Sequence, residues 1–236
     1  MKIRVTFRVV FYILLINNSF AQNVEWNNYI NKNCAGQSLD DGQFLWVCSN
    51  IAGLVKVNKS NGDVIFFDKS NSAIPSNNVS CIIKDSWGLT WIGTDKGLAV
   101  FNGANWILYN TDNSPLPSNS ITSIKIDKQS NKWIGTYGGG LAKFTGVDWN
   151  VYTNQNSGLF TNYISSLFID EFDNVWVGQY NRLIKYDGNI WIVYSIESFG
   201  TGFVQTIASD KRNNIWIGYW SGNLMERFGP HIIRNF

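Results

Sequence analysis

Histidine is nearly absent from this chain: His231 is the only one among 236 residues. A histidine-dependent nucleophile or lyase mechanism therefore lacks a centre. Glutamate is scarce too, and Glu25, Glu171, Glu197 and Glu226 fall in dissimilar surroundings. A glycosidase needs two carboxylates held about 5–10 Å apart across the bond, and no such pair stands out. The three cysteines, Cys34, Cys48 and Cys81, are odd in number, and their spacings of 14 and 33 match no zinc pattern. They are expected to be small buried hydrophobes, with the choice of any single bridge left open. No catalytic residue, metal site or cofactor is expected.

Charge is sparse at 15%, and no run of Lys or Arg offers a basic patch, so nucleic acid is not an expected partner. Long apolar runs are missing as well. The stretch Val9–Ile16 has eight residues, too few to span a bilayer. With Lys2, Arg4 and Arg8 before it and Asn17-Asn18-Ser19-Phe20-Ala21 after it, residues 1–21 read as a signal peptide cleaved after Ala21. The expectation is a periplasmic or extracellular protein with no transmembrane segment after cleavage, carrying a net charge of −1.

Aromatic residues are what the chain has in abundance: eleven Trp, ten Tyr and fifteen Phe, which suits β structure. Their placement is periodic. Trp46, Trp91, Trp133, Trp176 and Trp216 lie 45, 42, 43 and 40 residues apart, and four of them open a Trp-(Ile/Val)-Gly block. Six residues before each stands Asp40, Asp85, Asp127, Asp170 or Asp210. A second series has Trp followed three residues on by Tyr: Trp26/Tyr29, Trp106/Tyr109, Trp149/Tyr152 and Trp191/Tyr194. Only Trp87 and Trp220 stand outside both series.

A period of 40–45 residues holding four short apolar runs is the mark of a β-propeller blade. The chain is expected to be all-β, with five four-stranded blades over roughly 34–68, 79–110, 121–152, 164–194 and 203–236. Residues 25–30 form an extra outer strand that closes the ring; an open or truncated array is the alternative. The aspartates are read as turn starters and the framework tryptophans as packing between blades. Gly93, Gly135, Gly178 and Gly218 suggest close approach of a neighbouring backbone. The third strand, with Leu141 and Lys143 alternating with Ala142 and Phe144, is placed nearer the rim.

The block Asn113-Ser114-Pro115-Leu116-Pro117-Ser118-Asn119-Ser120-Ile121, continuing to Asp127 and Trp133-Ile134-Gly135-Thr136, resembles the two-component regulator propeller repeat. Residues 71–79 and 156–159 repeat its start. The resemblance implies a periplasmic sensor propeller of the kind found in hybrid histidine kinases, which commonly detect oligosaccharides. Such sensors usually carry more repeats, in two propellers, and continue into a membrane helix and a kinase. No kinase motif is found here, so the expectation extends to the propeller and a binding role, not to signalling.

Once the framework is subtracted, the turn between the second and third strands offers Asp95, Tyr137, Tyr180 and Trp220 at one equivalent position, with Asn181 and Arg182 beside them. Aromatic faces stack on sugar rings, while amides and carboxylates orient the hydroxyls. These six residues are the candidate ligand site, an oligosaccharide the first ligand. Protein–protein contact or self-association in the cell envelope is the alternative, with Trp87 on the opposite face as its marker. A glycoside-active enzyme comes third.

Overall fold

The computed structural model describes residues 35–196, 202–219 and 226–228. The signal-peptide reading, Trp26, Tyr29, Cys34, Trp220 and the tail from 229 lie outside them. Among the described residues every regular element is a strand. The first sheet holds β1 (Ala35–Asp40), β2 (Phe44–Ser49), β3 (Gly53–Asn58) and β4 (Val64–Phe67). The second holds β5 (Val79–Lys84), β6 (Thr90–Thr94), β7 (Gly97–Phe101) and β8 (Trp106–Tyr109). The third holds β9 (Ile121–Ile126), β10 (Lys132–Thr136), β11 (Leu141–Phe144) and β12 (Trp149–Tyr152). The fourth holds β13 (Ser166–Ile169), β14 (Val175–Gln179), β15 (Arg182–Tyr186) and β16 (Trp191–Ser195). The fifth shows β17 (Val204–Ser209), β18 (Ile215–Tyr219) and β19 (Glu226–Phe228). Each sheet is an antiparallel meander in chain order.

The turn chemistry explains the meander. Asp127 accepts the backbone N–H groups of Gln129 and Asn131 through one oxygen and the indole N–H of Trp133 through the other, at 2.9 Å. The same indole bond recurs as Trp91–Asp85, Trp176–Asp170 and Trp216–Asp210. The aspartates therefore both start the hairpin and fix the tryptophan, so the turn-starter role holds with an addition. The first repeat departs from the expected spacing: Asp41, five residues before Trp46, accepts its indole N–H, while Asp40 pairs with Lys59.

Aromatic boxes join the sheets. Trp133 stacks on Tyr152 of its own sheet (5.8 Å between centroids), Tyr186 stacks on Trp191 of the next (4.2 Å), and tilted contacts cross between the pairs. The same box is built by Trp91, Tyr109, Phe144 and Trp149, and by Trp46, Phe67, Phe101 and Trp106. Each large ring buried there contributes roughly 1.5–3 kcal/mol.

One packing expectation needs correction. The space over each framework glycine is taken by a side chain, not a backbone. A Cβ on Gly135 would come within 2.7 Å of Ile164 Cγ2, and one on Gly93 within 2.6 Å of Ile121 Cγ2, each a β-branched residue just ahead of or opening the following sheet's inner strand. The third strands differ among themselves: all of β7 is buried, in β11 only Lys143 is partly exposed, and β3 and β15 are partly exposed over Lys56–Asn58 and at Arg182, Lys185 and Tyr186. Cys48 and Cys81 are buried free thiols, as expected.

Candidate functional site

The candidate site is built on the turns between second and third strands, which share one face with the connections between sheets. The connections that leave the first three sheets are clamped from within by their own polar side chains. In the one that leaves the third sheet, Asn156 Oδ1 accepts the N–H of Thr153, Asn162 Oδ1 accepts that of Asn154, and the Ser157 hydroxyl donates to the Thr153 carbonyl. Residues 110–120 and 68–78 repeat all three bonds. Leu159, Leu116 and Ile74 anchor the loops in the core. Two Asn and one Ser of each loop are thus occupied internally. The main chain then bonds to both flanking sheets: Gly97 N–H donates to the Asn119 carbonyl and Tyr137 N–H to the Ser120 carbonyl.

Four aromatic rings remain exposed on this face: Tyr137, Phe160, Tyr163 and Tyr180, each between 45% and 58% accessible. Tyr137 meets Tyr163 edge-on at 4.7 Å, and Tyr180 meets Phe203 edge-on at 5.2 Å. Between these pairs the Arg182 guanidinium lies 4.7 Å over the Phe160 ring. The segment 160–163 ties the three together. Asn162 accepts the N–H of Gly138 beside Tyr137, and Gln179 beside Tyr180 accepts the N–H groups of Phe160 and Thr161. In the sequence Phe160, Tyr163 and Phe203 are aromatics of the connections that can add to this face; their pairing with the turn residues is not legible there.

Of the six expected site residues, the structure brings Tyr137, Tyr180 and Arg182 into this strip. Asn181 serves the chain itself: it adopts φ +53°, and its side-chain oxygen accepts the N–H of Gly202 at 2.7 Å. Arg182 also donates to the Asn181 carbonyl and to the Ser195 hydroxyl. Asp95 stands one sheet earlier on the same face, half-buried, with one buried carboxylate oxygen that has no hydrogen-bond partner. Trp220 lies outside the described residues. On the opposite face Trp87 covers Lys132, whose ammonium sits 4.3 Å from its ring.

Residues 73–96, running from the first connection through β5 and β6, match the family described as "Two component regulator propeller". That segment is similar to one such repeat. A comparison with curated proteins gives no match. Among solved structures, the extracellular domain of BT4673 from B. thetaiotaomicron is similar at 19% identity and a TM-score of 0.67, over 84% of this chain and 31% of that one. That protein is described as a one component system in one structure and as a hybrid two component system in another. PorZ of Porphyromonas gingivalis, a surface component of the type-IX secretion system, is 17% identical at a TM-score of 0.65, covering 86% of this chain and 33% of that one. A streptogramin B lyase is 14% identical at a TM-score of 0.69, over 86% and 67% of the two chains. At these identities the likeness is one of fold, and this chain spans about a third of the BT4673 extracellular-domain chain and of the PorZ chain. No helix among the described residues is long and apolar enough to cross a membrane.

Proposed function

We propose that this propeller chain is an exported, non-catalytic recognition module that binds a soluble oligosaccharide on its connection-bearing face. One observation carries the reading: the joined aromatic strip of Tyr137–Tyr163, Phe160–Arg182 and Tyr180–Phe203, exposed while the framework rings are packed away. Ring faces of this kind suit the apolar faces of sugars, and Arg182 supplies a donor beside them. The likeness to extracellular sensor domains supports the same reading, as does the export pattern of residues 1–21. The test is a thermal-shift screen of the purified protein against soluble oligosaccharides. A ligand at one hundred times its Kd adds about 2.7 kcal/mol of stability. The shift is expected to vanish in a folded Tyr137→Ala/Tyr180→Ala variant. No shift across a broad panel would sink the oligosaccharide reading.

The fifth sheet supports a proposal on closure. Trp216 is only half-buried, whereas Trp46, Trp91, Trp133 and Trp176 are 2–7% exposed beneath a fourth-strand ring. The described part of this sheet stops at β19, whose Phe228 pairs with Ile215 in the register that Phe144 keeps with Lys132. Residues Trp26–Tyr29 have the spacing of a fourth strand, so as the partner of β19 they would supply Tyr29 over Trp216 and Trp26 toward Trp176 and Tyr194. The half-buried Trp216 equally suits a scaffold in which a further repeat covers this flank.

A further inference from the structure

The inner strands of all five sheets line one central cavity of about 370 Å³. Its wall is polar: Gln37, Ser80, Thr122, Ser123, Lys125, Ser165, Ser166, Gln205 and Thr206 contribute, with no carboxylate among the lining residues. Three of the serines are already engaged: Ser80 donates to the Ile121 carbonyl, and Ser165 and Ser166 donate to that of Val204, which ties the second sheet to the third and the fourth to the fifth. Other donors are left over, Lys125, Thr122 and Gln37 among them. The Lys125 ammonium has no ion-pair partner among the described residues. The Thr122 hydroxyl is buried without a hydrogen bond. Gln37 uses its side-chain oxygen to accept the N–H of Ile82, which leaves its amide protons unspent.

We propose that this cavity is a second binding site, separate from the aromatic strip, for a small molecule bearing an oxyanion such as a carboxylate or sulfate. Lys125 holds the charge, and Thr122 and Gln37 add hydrogen bonds. A desolvated ammonium facing only neutral dipoles is stabilised by an anion far more than a solvated one is. Burial depresses the pKa of Lys125, which is the behaviour of a cation short of counter-charge.

The experiment is a thermal-shift titration of the full chain with sodium galacturonate, sodium sulfate and, as the neutral control, galactose, at ionic strength fixed with sodium chloride. A saturable rise in Tm is expected with either anion and none with galactose; which anion is tighter identifies the source of the charge. In Lys125→Met the half-saturation point should move by at least about tenfold, while Lys125→Arg keeps the response. Lys125→Gln substitutes if the Met variant fails to fold. Tyr137→Ala/Tyr180→Ala, which strips the aromatic face, should leave the anion response intact. No saturable response, an equal response without the Lys125 charge, or loss of the response in the aromatic variant would each overturn the assignment.

Discussion

Lys132 shows how one substitution in a repeat is compensated by another. In the first, third and fourth sheets a third-strand lysine (Lys56, Lys143, Lys185) faces the framework Trp across the sheet and lies over its ring. The second sheet has Val100 opposite Trp91. There the next sheet supplies the cation: Lys132, 1% exposed, reaches 5.0 Å from the Trp91 ring and 3.2 Å from Asp85. Sequence could not reveal this, because the positions equivalent to Lys132 hold Leu45, Thr90, Val175 and Ile215, and the partner is on another sheet. Lys132→Met would leave the buried Asp85 carboxylate without its counter-charge. The expected loss is about 3 kcal/mol in urea unfolding, more than for Lys143→Met on the partly exposed side of Trp133.

Cys81 gives a pH prediction at the same scale. Burial raises its thiol to about 11, well above the unfolded value of about 8.5. A raised acid contributes stability that is complete below the unfolded pKa and is lost as pH climbs through the folded one. The Tm should therefore fall between roughly pH 8.5 and 11 more steeply in the native chain than in Cys81→Ala. Equal slopes would mean that folding leaves the pKa of this thiol unchanged.

Among the elements, glycine in β6, β10 and β14 sets how closely neighbouring sheets approach. The sequence disclosed that something must come near these positions, but periodicity alone cannot say whether it is backbone or side chain. The partner proved to be the β-branched residue beside or opening the next inner strand, Ile121, Ile164 or Val204. Gly135→Ala should cost about 1–3 kcal/mol by overpacking against Ile164, and Ile164→Ala in the same chain should recover part of that loss. Additive losses would show that the two do not share the space. The connections were legible only in part. A sequence shows that they are polar and rich in Asn and Ser, not that Asn71, Asn77, Asn113, Asn119, Asn156 and Asn162 already bond main-chain groups of their own loops. Asn162→Ala is accordingly expected to lower stability by about 0.5–1.5 kcal/mol, since it removes the side-chain oxygen that accepts the Asn154 N–H and loosens segment 160–163.

For the whole molecule, the repeat made the all-β sheet order legible from Trp spacing alone, and the boxes explain why. Four aromatic positions recur because each sheet meets its neighbour through the same contact, so the sequence period is the period of the interface. What the period could not give is the site, because Phe160, Tyr163 and Phe203 depart from the repeat and matter only through rings placed by other segments. Trp133→Ala should cost about 3–5 kcal/mol, as expected for a buried indole that also leaves Asp127 short of a donor. If residues 26–29 complete the fifth sheet, Trp26→Ala should speed amide exchange in β17–β19 and leave β9–β12 unchanged. Unchanged exchange in β17–β19 would favour a flank covered by a further repeat.

The clamped connections separate what the loop must keep from what it can vary. Asn77, Asn119 and Asn162 hold the loop, and Ile74, Leu116 and Leu159 bury it. The neighbouring positions hold Pro75, Pro117 and Phe160 in one series and Asn78, Ser120 and Tyr163 in the other. A chain of this design can drift at those two positions, repeat by repeat, and change what its face recognises while the architecture beneath is inherited intact.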